Sequence, residues 1–117
     1  MSNFKGLLIY QRSYRAAIEV YRMTENFPKE ELYGLTSQMK RASTSVPLNI
    51  AEGHGKREST AEFKRFLLMA IGSCDEMRVL LDMSKDLGYI PEDRYSMLEK
   101  EYDEIGKMIN KFRMNVR

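Results

Sequence analysis

The sequence predicts an all-α protein: an antiparallel up-down four-helix bundle in a single domain spanning residues 1–117. Three observations support this fold class. The chain has only three prolines, it has no run of alternating residues typical of a strand, and its apolar residues recur every three or four positions between breakers. Four such segments joined by short turns are typical of an up-down bundle.

Helix one is predicted from Phe4 to Glu25, because Pro28 disfavours helical geometry just before it. Its main apolar stripe, predicted to face the core, consists of Leu7, Tyr14, Ile18 and Tyr21, with Tyr10 and Ala17 beside it. A second apolar series consists of Ile9, Ala16, Val20, Met23 and Phe27. Since a bundle helix normally needs one apolar stripe, we assign the second series to contacts between subunits. The alternative is a wider core, or partial coverage of this series by the loops and the C-terminal tail.

Helix two is predicted to begin near Thr36, a favourable N-cap residue, although a start a few residues earlier is also possible. Its inward stripe consists of Leu35, Met39, Ala42, Val46, Asn49 and Gly53. Pro47 lies inside the helix and is predicted to bend it, because proline lacks the backbone donor. Gly53 or Gly55 is predicted to end the helix in a left-handed conformation.

Helix three is predicted to begin at Ser59, because Ser59 to Glu62 fits a capping box, and to end at Gly88. Its inward stripe consists of Phe63, Phe66 or Leu67, Ala70, Cys74, Met77 and Leu81. A further apolar set outside this stripe consists of Leu68, Met69, Val79, Leu80 and Met83. This surplus also favours self-association, and the nine methionines suit an adaptable interface.

Helix four is predicted to start at Pro91, a favoured first position, with Glu92 and Asp93 at the positive end of the helix dipole. Its seam consists of Tyr95, Leu98, Tyr102, Ile105, Ile109 and Phe112. This alternation by three and four residues is typical of a helix that packs in a bundle.

Composition excludes several classes of protein. No stretch approaches the roughly 20 apolar residues that cross a bilayer, so no membrane partner is expected. The segment Met1–Gly6 lacks the pattern of a signal peptide, and one cysteine cannot form an internal disulfide. We therefore expect a cytoplasmic protein. The net charge of +2 alone does not indicate a nucleic-acid partner.

Catalytic and metal-binding patterns are missing from the sequence. Di-metal bundles need several inward glutamates and two Glu-x-x-His pairs, whereas the only histidine is His54. Cys74 lies on an apolar stripe, where a small buried hydrophobe is the ordinary interpretation. The glycines of residues 53–57 lack the spacing of a phosphate-binding loop. We predict no enzyme activity, no catalytic residue, no metal and no cofactor.

A polar group is predicted within the bundle beside Pro47. Asn49 and Glu52 lie one turn apart on helix two, and Ser73 and Glu76 on helix three are plausible partners. We interpret the four residues as a structural polar core that fixes helix register, because buried polar groups need partners. Direct contact with a ligand is the alternative.

Basic residues carry the functional hypothesis. The candidate nucleic-acid-binding residues are Lys40, Arg41, Lys56, Arg57, Lys64, Arg65, Arg12, Arg15 and Arg22. Copies of such a patch in an oligomer would add their attraction to RNA or DNA, since each neutralised phosphate releases counterions. A solvated surface is the alternative interpretation.

Two segments of helix two carry a family resemblance. Tyr33 to Ser43 contains Leu-Thr-Ser-Gln-Met-Lys-Arg-Ala, and Val46 to Lys56 contains Val-Pro-Leu-Asn-Ile-Ala-Glu-Gly. Together with Glu62–Leu67, Ala70–Glu76 and Leu87-Gly88-Tyr89, they resemble the four-helix-bundle proteins encoded in intervening sequences of bacterial 23S ribosomal RNA genes. Val46 and Lys40 are small departures from the usual residues.

The resemblance implies a bundle that assembles as a ring, typically a homopentamer. The family is also similar to accessory proteins of diversity-generating retroelements, which bind nucleic acid and a reverse transcriptase. The leading hypothesis is therefore a homo-oligomeric, non-enzymatic protein that binds RNA or DNA by charge and shape. The alternative is a structural or adaptor module for a protein partner such as a reverse transcriptase.

Overall fold

A computed structural model describes residues 3–117. Met1 and Ser2, the first residues of the segment considered above for an export signal, lie outside the described residues. The elements are a 3-10 turn at Phe4–Gly6, α1 at Leu8–Thr24, a 3-10 turn at Lys29–Glu31, α2 at Leu35–Gly55, α3 at Thr60–Asp86 and α4 at Glu92–Met114. They form a bundle measuring 44 × 24 × 20 Å.

Each helix packs against two others: α1 and α3 both contact α2 and α4. Contacts between consecutive helices occur in reverse order along the chain. Near the start of α2, Met39 accepts a hydrogen bond from Ser84 near the end of α3, while the His54 ring near the end of α2 lies 6.1 Å from the Phe63 ring. Phe63 in turn contacts Phe112 near the end of α4. The predicted all-helical bundle is confirmed, and these contacts show that α3 runs in the opposite direction to α2 and to α4.

All four helices contribute to one buried core. The inward stripe predicted for α3 is confirmed, because every member from Phe63 to Leu81 is buried. The α4 seam is buried at its four central positions and half-buried at Tyr95 and Phe112. Leu80 was predicted to lie outside the inward stripe, but it is buried. The exposed apolar set on α3 is therefore Leu68, Met69, Val79 and Met83.

The prediction for helix one is wrong in two respects. The α-helix begins at Leu8 rather than Phe4, because Leu7 has an extended backbone that separates it from the preceding 3-10 turn. The burial of the two apolar series also differs from the prediction. The series assigned to subunit contacts is the buried one, with Val20 fully buried, whereas Tyr14 and Tyr21 of the predicted core stripe are exposed. The exposed tyrosines keep their hydroxyl groups near water.

Helix α2 begins at Leu35, and its first turn is supported by Glu31, whose carboxylate accepts a hydrogen bond from the Leu35 amide at 3.1 Å. The prediction that Gly53 or Gly55 ends it in a left-handed conformation is wrong, because neither has a positive φ. Gly53 is instead a buried helical residue packed against α3. Pro47 lies inside the helix, and the bend predicted there stays a prediction.

The ends of α3 follow two local signals. Ser59 caps the helix by accepting a hydrogen bond from the Glu62 amide at 3.2 Å. The reciprocal half of the capping box is absent here, because the Glu62 carboxylate pairs with Arg65 instead. Gly88, with φ 79°, ends the helix as predicted, and the Tyr89 amide donates back to the Ser84 carbonyl.

Among residues 3–117, no helix has both the length and the apolar character that a membrane crossing requires.

Candidate nucleic-acid interface

Charge is distributed unevenly along the long axis of the bundle. The half formed by residues 3–15, 47–73 and 104–117, called the basic half, contains eleven Lys and Arg against four Asp and Glu. The half formed by residues 16–46 and 74–103, called the acidic half, contains eight Lys and Arg against thirteen Asp and Glu. The formal charges are therefore +7 and −5. The reversal of consecutive helices creates this asymmetry, because it gathers basic segments that are distant in sequence.

The nine candidate basic residues divide between the two halves. The basic half contains Arg12, Arg15, Lys56, Arg57, Lys64 and Arg65. The acidic half contains Arg22, Lys40 and Arg41. The fold therefore does not gather all nine residues in one site.

Three basic side chains make specific contacts at the turn between α2 and α3. Arg57 donates a hydrogen bond from its guanidinium group to the His54 carbonyl at 2.8 Å, and this contact holds the guanidinium in place. Lys56 and Arg65 lie 5.1 and 4.6 Å from the centroid of the same ring, Phe66. Cations over an aromatic face are held electrostatically. Three positive groups are thus held close to the connection between α2 and α3.

A shallow depression of about 360 Å³ lies at this turn. Its lining residues are Gly55, Lys56, Arg57, Glu58, Ser59 and Glu62. The Glu62 carboxylate accepts a hydrogen bond from Arg65 at 2.9 Å, and this contact lowers the pKa of Glu62. One local cation is therefore partly neutralised, while Lys56 and Arg57 remain exposed.

Arg12 is engaged in an ion pair. Its guanidinium donates to the Glu101 carboxylate at 3.0 Å and lies 3.8 Å from Glu104, and the hydrogen bond to Glu101 raises the pKa of Arg12. This pair joins α1 to α4, so Arg12 is a structural contact. Arg15 is exposed, and it lines a surface depression together with Lys5.

The three candidates in the acidic half have separate surroundings. Lys40 lies 5.0 Å from the centroid of the Tyr21 ring, on the side of α2 that faces α1. Arg22 is 3.9 Å from Glu19. Arg41 is exposed on α2 and lines a depression with Glu76. These positions do not form a single patch with Lys56 and Arg57.

Sequence reasoning missed part of the basic half. The cations contributed by the start of α1 and the end of α4 are Lys5, Lys107, Lys111, Arg113 and Arg117. In the sequence, those near the end of α4 are explained by the helix dipole. Their proximity to the α2–α3 turn follows only from the packing of Phe63 against Phe112, at 5.9 Å between ring centroids.

The polar group near Pro47 contains a residue that the sequence did not indicate. Asn49 donates to the Ser45 carbonyl at 2.8 Å and to its hydroxyl at 2.9 Å, and this hydroxyl shares a 2.8 Å hydrogen bond with Ser73. The prediction of a buried role for Glu52 and Glu76 is wrong, since both side chains are exposed. The Ser45 hydroxyl on α2 gives the buried Ser73 hydroxyl a hydrogen-bond partner, so no charged side chain has to be buried there.

Reactive groups have ordinary structural positions. Cys74 is fully buried, and burial raises the pKa of its thiol to about 12, which disfavours the nucleophilic thiolate. His54 is buried beside Arg57. Burial lowers the pKa of His54, and the positive charge of Arg57 lowers it further. Within the described chain, no group of three or more His, Cys, Asp or Glu side chains could hold a metal ion.

The sequence and the bundle have known counterparts. The family model described as 23S rRNA-intervening sequence protein matches residues 5–111. The chain belongs to this family. No curated protein matches it.

A solved structure shares the fold of this intervening-sequence protein family member. It is described as a protein of unknown function from the S23 ribosomal protein family, from Bacteroides thetaiotaomicron. The superposition has a TM-score of 0.80 and covers 91% of this chain and 98% of the other, with 22% sequence identity. At that identity the likeness concerns the fold.

The segment that carries the family resemblance has a clear structural role in α2. Pro47 and Ile50 are buried, Asn49 joins the hydrogen-bonded group with Ser45, and Gly53 lies against α3. In this intervening-sequence protein, the segment therefore specifies how α2 packs. The functional hypothesis depends on the charged surface around it.

Proposed function

We propose that this protein is a homo-oligomeric, non-enzymatic bundle that binds RNA or DNA through its basic half by charge and shape. The observation that carries the proposal is the separation of formal charge into +7 and −5 along one molecule. A net charge of +2 conceals this separation. The buried thiol of Cys74 supports the non-enzymatic part.

Screening lets the basic half act independently. The bundle is 44 Å long, so the centres of the two halves are roughly 20 Å apart, whereas the Debye length at physiological salt is about 8 Å. A phosphate backbone at the basic end therefore experiences little repulsion from the acidic half. Most cations there are also available: within residues 3–117, only Arg12, Arg65 and Lys107 of the eleven form ion pairs with a carboxylate.

The arrangement favours recognition of backbone charge over base sequence. The positive side chains come from the ends of four helices and one turn, so they form a broad surface around the end of the bundle. Contacts to phosphate fix position and orientation, whereas sequence is distinguished by contacts to base edges. Several copies in an oligomer would multiply these contacts.

The test is fluorescence anisotropy with labelled structured RNA and labelled duplex DNA, at about 50 mM and about 200 mM salt. The test variant is Lys56→Glu with Arg57→Glu. The matched control is Lys29→Glu with Lys100→Glu, which reverses two exposed cations in the acidic half. Both variants change the net charge by the same amount, so a difference between them reports the location of the contacts.

We expect affinity for wild type to fall steeply with salt, and the Lys56/Arg57 variant to bind at least about tenfold more weakly with a shallower salt slope. The control should retain most of the affinity. Equal losses in both variants would show a response to net charge only, and no binding of either probe at about 50 mM salt would refute the proposal.

A second candidate is a structural or adaptor module for a protein partner such as a reverse transcriptase. The observation that favours it is exposed apolar surface: Leu48, Leu68 and Val79 are each more than half exposed. Binding through apolar surface would persist at high salt, because screening weakens charge contacts and leaves apolar burial intact. Salt-resistant binding of such a partner, with no nucleic-acid binding, would favour this function.

A further inference from the structure

A groove lined by aromatic rings, called the α1–α2 groove, lies between α1 and α2. It has a volume of about 360 Å³. Its main lining residues are Phe4, Tyr10, Tyr14, Tyr21, Pro47 and Leu48. Three rings form a connected series: the centroids of Phe4 and Tyr10 are 5.0 Å apart, and that of Tyr14 is 5.9 Å from Tyr10. Tyr14 is 50% exposed and Tyr21 is 40% exposed, so both rings are accessible from solvent.

Cations alternate with these rings along α1. Tyr14-Arg15 and Tyr21-Arg22 are identical pairs seven residues apart, which is close to two turns of helix, so both pairs lie on the same side of α1. Both arginines are exposed. On the other border of the groove, the Lys40 ammonium of α2 lies 5.0 Å from the centroid of the Tyr21 ring. Positive side chains therefore border the groove from both helices.

A second depression, of about 450 Å³, adjoins the groove. It shares Tyr10 and Tyr14 with the groove, and its other lining residues are Lys5, Gln11 and Arg15. Lys5 and Arg15 are exposed, and neither forms an ion pair with a carboxylate within residues 3–117. Two unneutralised cations thus lie beside the Tyr14 ring.

Carboxylates are scarce on the helix segments that form the groove. Residues 35–51 of α2 contain two cations and no Asp or Glu. Helix α1 contains three arginines and a single carboxylate, Glu19, which accepts a hydrogen bond from Arg94 of α4 at 3.0 Å. The nearest carboxylates in the flanking sequence, Glu25 and Glu52, are not among the lining residues of the groove. An anionic ligand at the groove therefore meets an excess of positive charge.

We propose that the α1–α2 groove binds a single-stranded segment of RNA or DNA, with unpaired bases stacked on its tyrosine rings and phosphates held by the flanking cations. The proposal rests on the proposed function, to which it adds a second site and a preferred form of the nucleic acid. Every base has a flat π face, so stacking on aromatic side chains tolerates any sequence. Unpaired bases can be splayed onto such rings, whereas a duplex keeps its bases paired and stacked.

The dimensions of the groove suit a short segment of the strand. From Tyr10 to Tyr21 the groove extends about 16 Å along α1, because each helical residue rises about 1.5 Å. Surfaces that bind single strands have site sizes from about 4 nucleotides upward. At its Tyr10 end the groove opens onto the basic half, which contains residues 3–15 and 47–73. A longer strand can therefore continue from the tyrosines to the cations of the basic half.

The experiment separates stacking from charge. Affinity is measured by fluorescence anisotropy with a labelled single-stranded DNA of about 12 nucleotides and with an abasic strand of the same length, at about 50 mM and about 200 mM salt. The test variant is Tyr14→Leu, which removes the ring and keeps an apolar side chain. Tyr14→Phe keeps the ring and serves as the conservative variant. The matched control is Tyr33→Leu, which removes a 92% exposed ring outside the groove.

We expect Tyr14→Leu to bind the single strand about five- to tenfold more weakly at both salt concentrations, because one base loses its stacking partner. The salt slope should equal that of wild type, since stacking releases no counterions. Arg15→Gln should instead reduce the slope by about 1, as the loss of one phosphate contact does. Tyr14→Phe and Tyr33→Leu should bind like wild type, and wild type should bind the abasic strand more weakly than the natural strand.

Wild-type affinity in Tyr14→Leu, or equal affinity of wild type for both strands, would overturn the proposal. A change in the mass of Tyr14→Leu, measured by light scattering, would also overturn it, because the groove would then belong to a contact between copies. Duplex DNA distinguishes this proposal from the proposed function. Duplex binding that requires Lys56 and Arg57, together with single-strand binding that ignores Tyr14, would leave the proposed function standing and remove the groove from it.

Discussion

Replacing Gly53 by alanine tests how closely α2 and α3 approach each other. An alanine Cβ at this position would lie 2.8 Å from the Phe66 Cβ and 3.2 Å from the Phe63 Cδ1. Ordinary contacts of a Cβ atom lie at 3.4–4 Å. The Phe66 Cβ is attached directly to the backbone and cannot rotate away, so the helices would have to separate locally.

The magnitude follows from two opposing effects. Overpacking of a well-packed contact costs about 1–3 kcal/mol. Alanine is favoured over glycine inside a helix by about 1 kcal/mol, which offsets part of that cost. The difference between the two effects is about 0–2 kcal/mol. Because the Phe66 Cβ cannot rotate away, we expect the upper part of this range, about 1–2 kcal/mol, which lowers Tm by about 4–8 °C for a chain of 117 residues.

Gly55→Ala is the matched control. Gly55 is in the same helix, two residues further on, and an added Cβ would meet no atom within 4 Å. There the loss of flexibility in the unfolded chain should dominate, so stability should rise by about 0.4–1 kcal/mol. Both variants are melted by circular dichroism at one fixed protein concentration, because the proposed self-association would also stabilise the folded state.

The reasoning would be refuted if Gly53→Ala were as stable as Gly55→Ala. Such a result would mean that α3 can move away from α2 without lowering the free energy of unfolding, and that the glycine is not required for close packing. A fall in Tm accompanied by a change in oligomer mass would instead place the effect at the subunit contact rather than between α2 and α3.

Three further predictions concern stability. The buried Tyr102 hydroxyl has no hydrogen-bond partner in the described chain, so Tyr102→Phe should raise the free energy of unfolding, measured by urea titration, by about 1 kcal/mol. The control Tyr95→Phe loses a 2.6 Å hydrogen bond to Asp82 and should not raise it. Because the pKa of His54 is lowered below 6.5 on folding, the unfolded chain binds more protons as pH falls, and wild type should lose stability below about pH 6.5 relative to His54→Gln. Arg12→Gln should lower the free energy of unfolding by about 1–2 kcal/mol, measured by urea titration, while nucleic-acid affinity stays unchanged.

The sequence predicted the ends of a helix correctly where a single residue, such as a capping serine or a glycine, sets the local backbone conformation. Ser59 caps α3, and Gly88 ends it with a positive φ, because these effects involve only neighbouring residues. Gly53 shows the limit of such reasoning. Its sequence context resembles a helix end, but its role is to let another helix approach, which depends on residues that follow it in the chain.

The candidate site was only partly predictable for a related reason. Lys56 and Arg57 are adjacent in sequence, and the fold keeps them exposed at one turn. Arg12 is equally basic in sequence, yet Glu101, which lies 89 residues further along, neutralises it. Whether a cation is available to a ligand depends on partners brought by packing, and composition does not contain that information.

The sequence by itself determined the fold class, the four helical segments and the inward stripes of α3 and α4, because periodicity and caps act within one turn of helix. Only the tertiary structure decided which of two apolar series on α1 is buried, since both satisfy the same periodicity. Val20 enters the core and Tyr14 remains outside, because only the packing of α1 against α2 and α4 fixes the rotation of this helix about its axis. The same packing gathers basic segments from four helices at one end of the bundle.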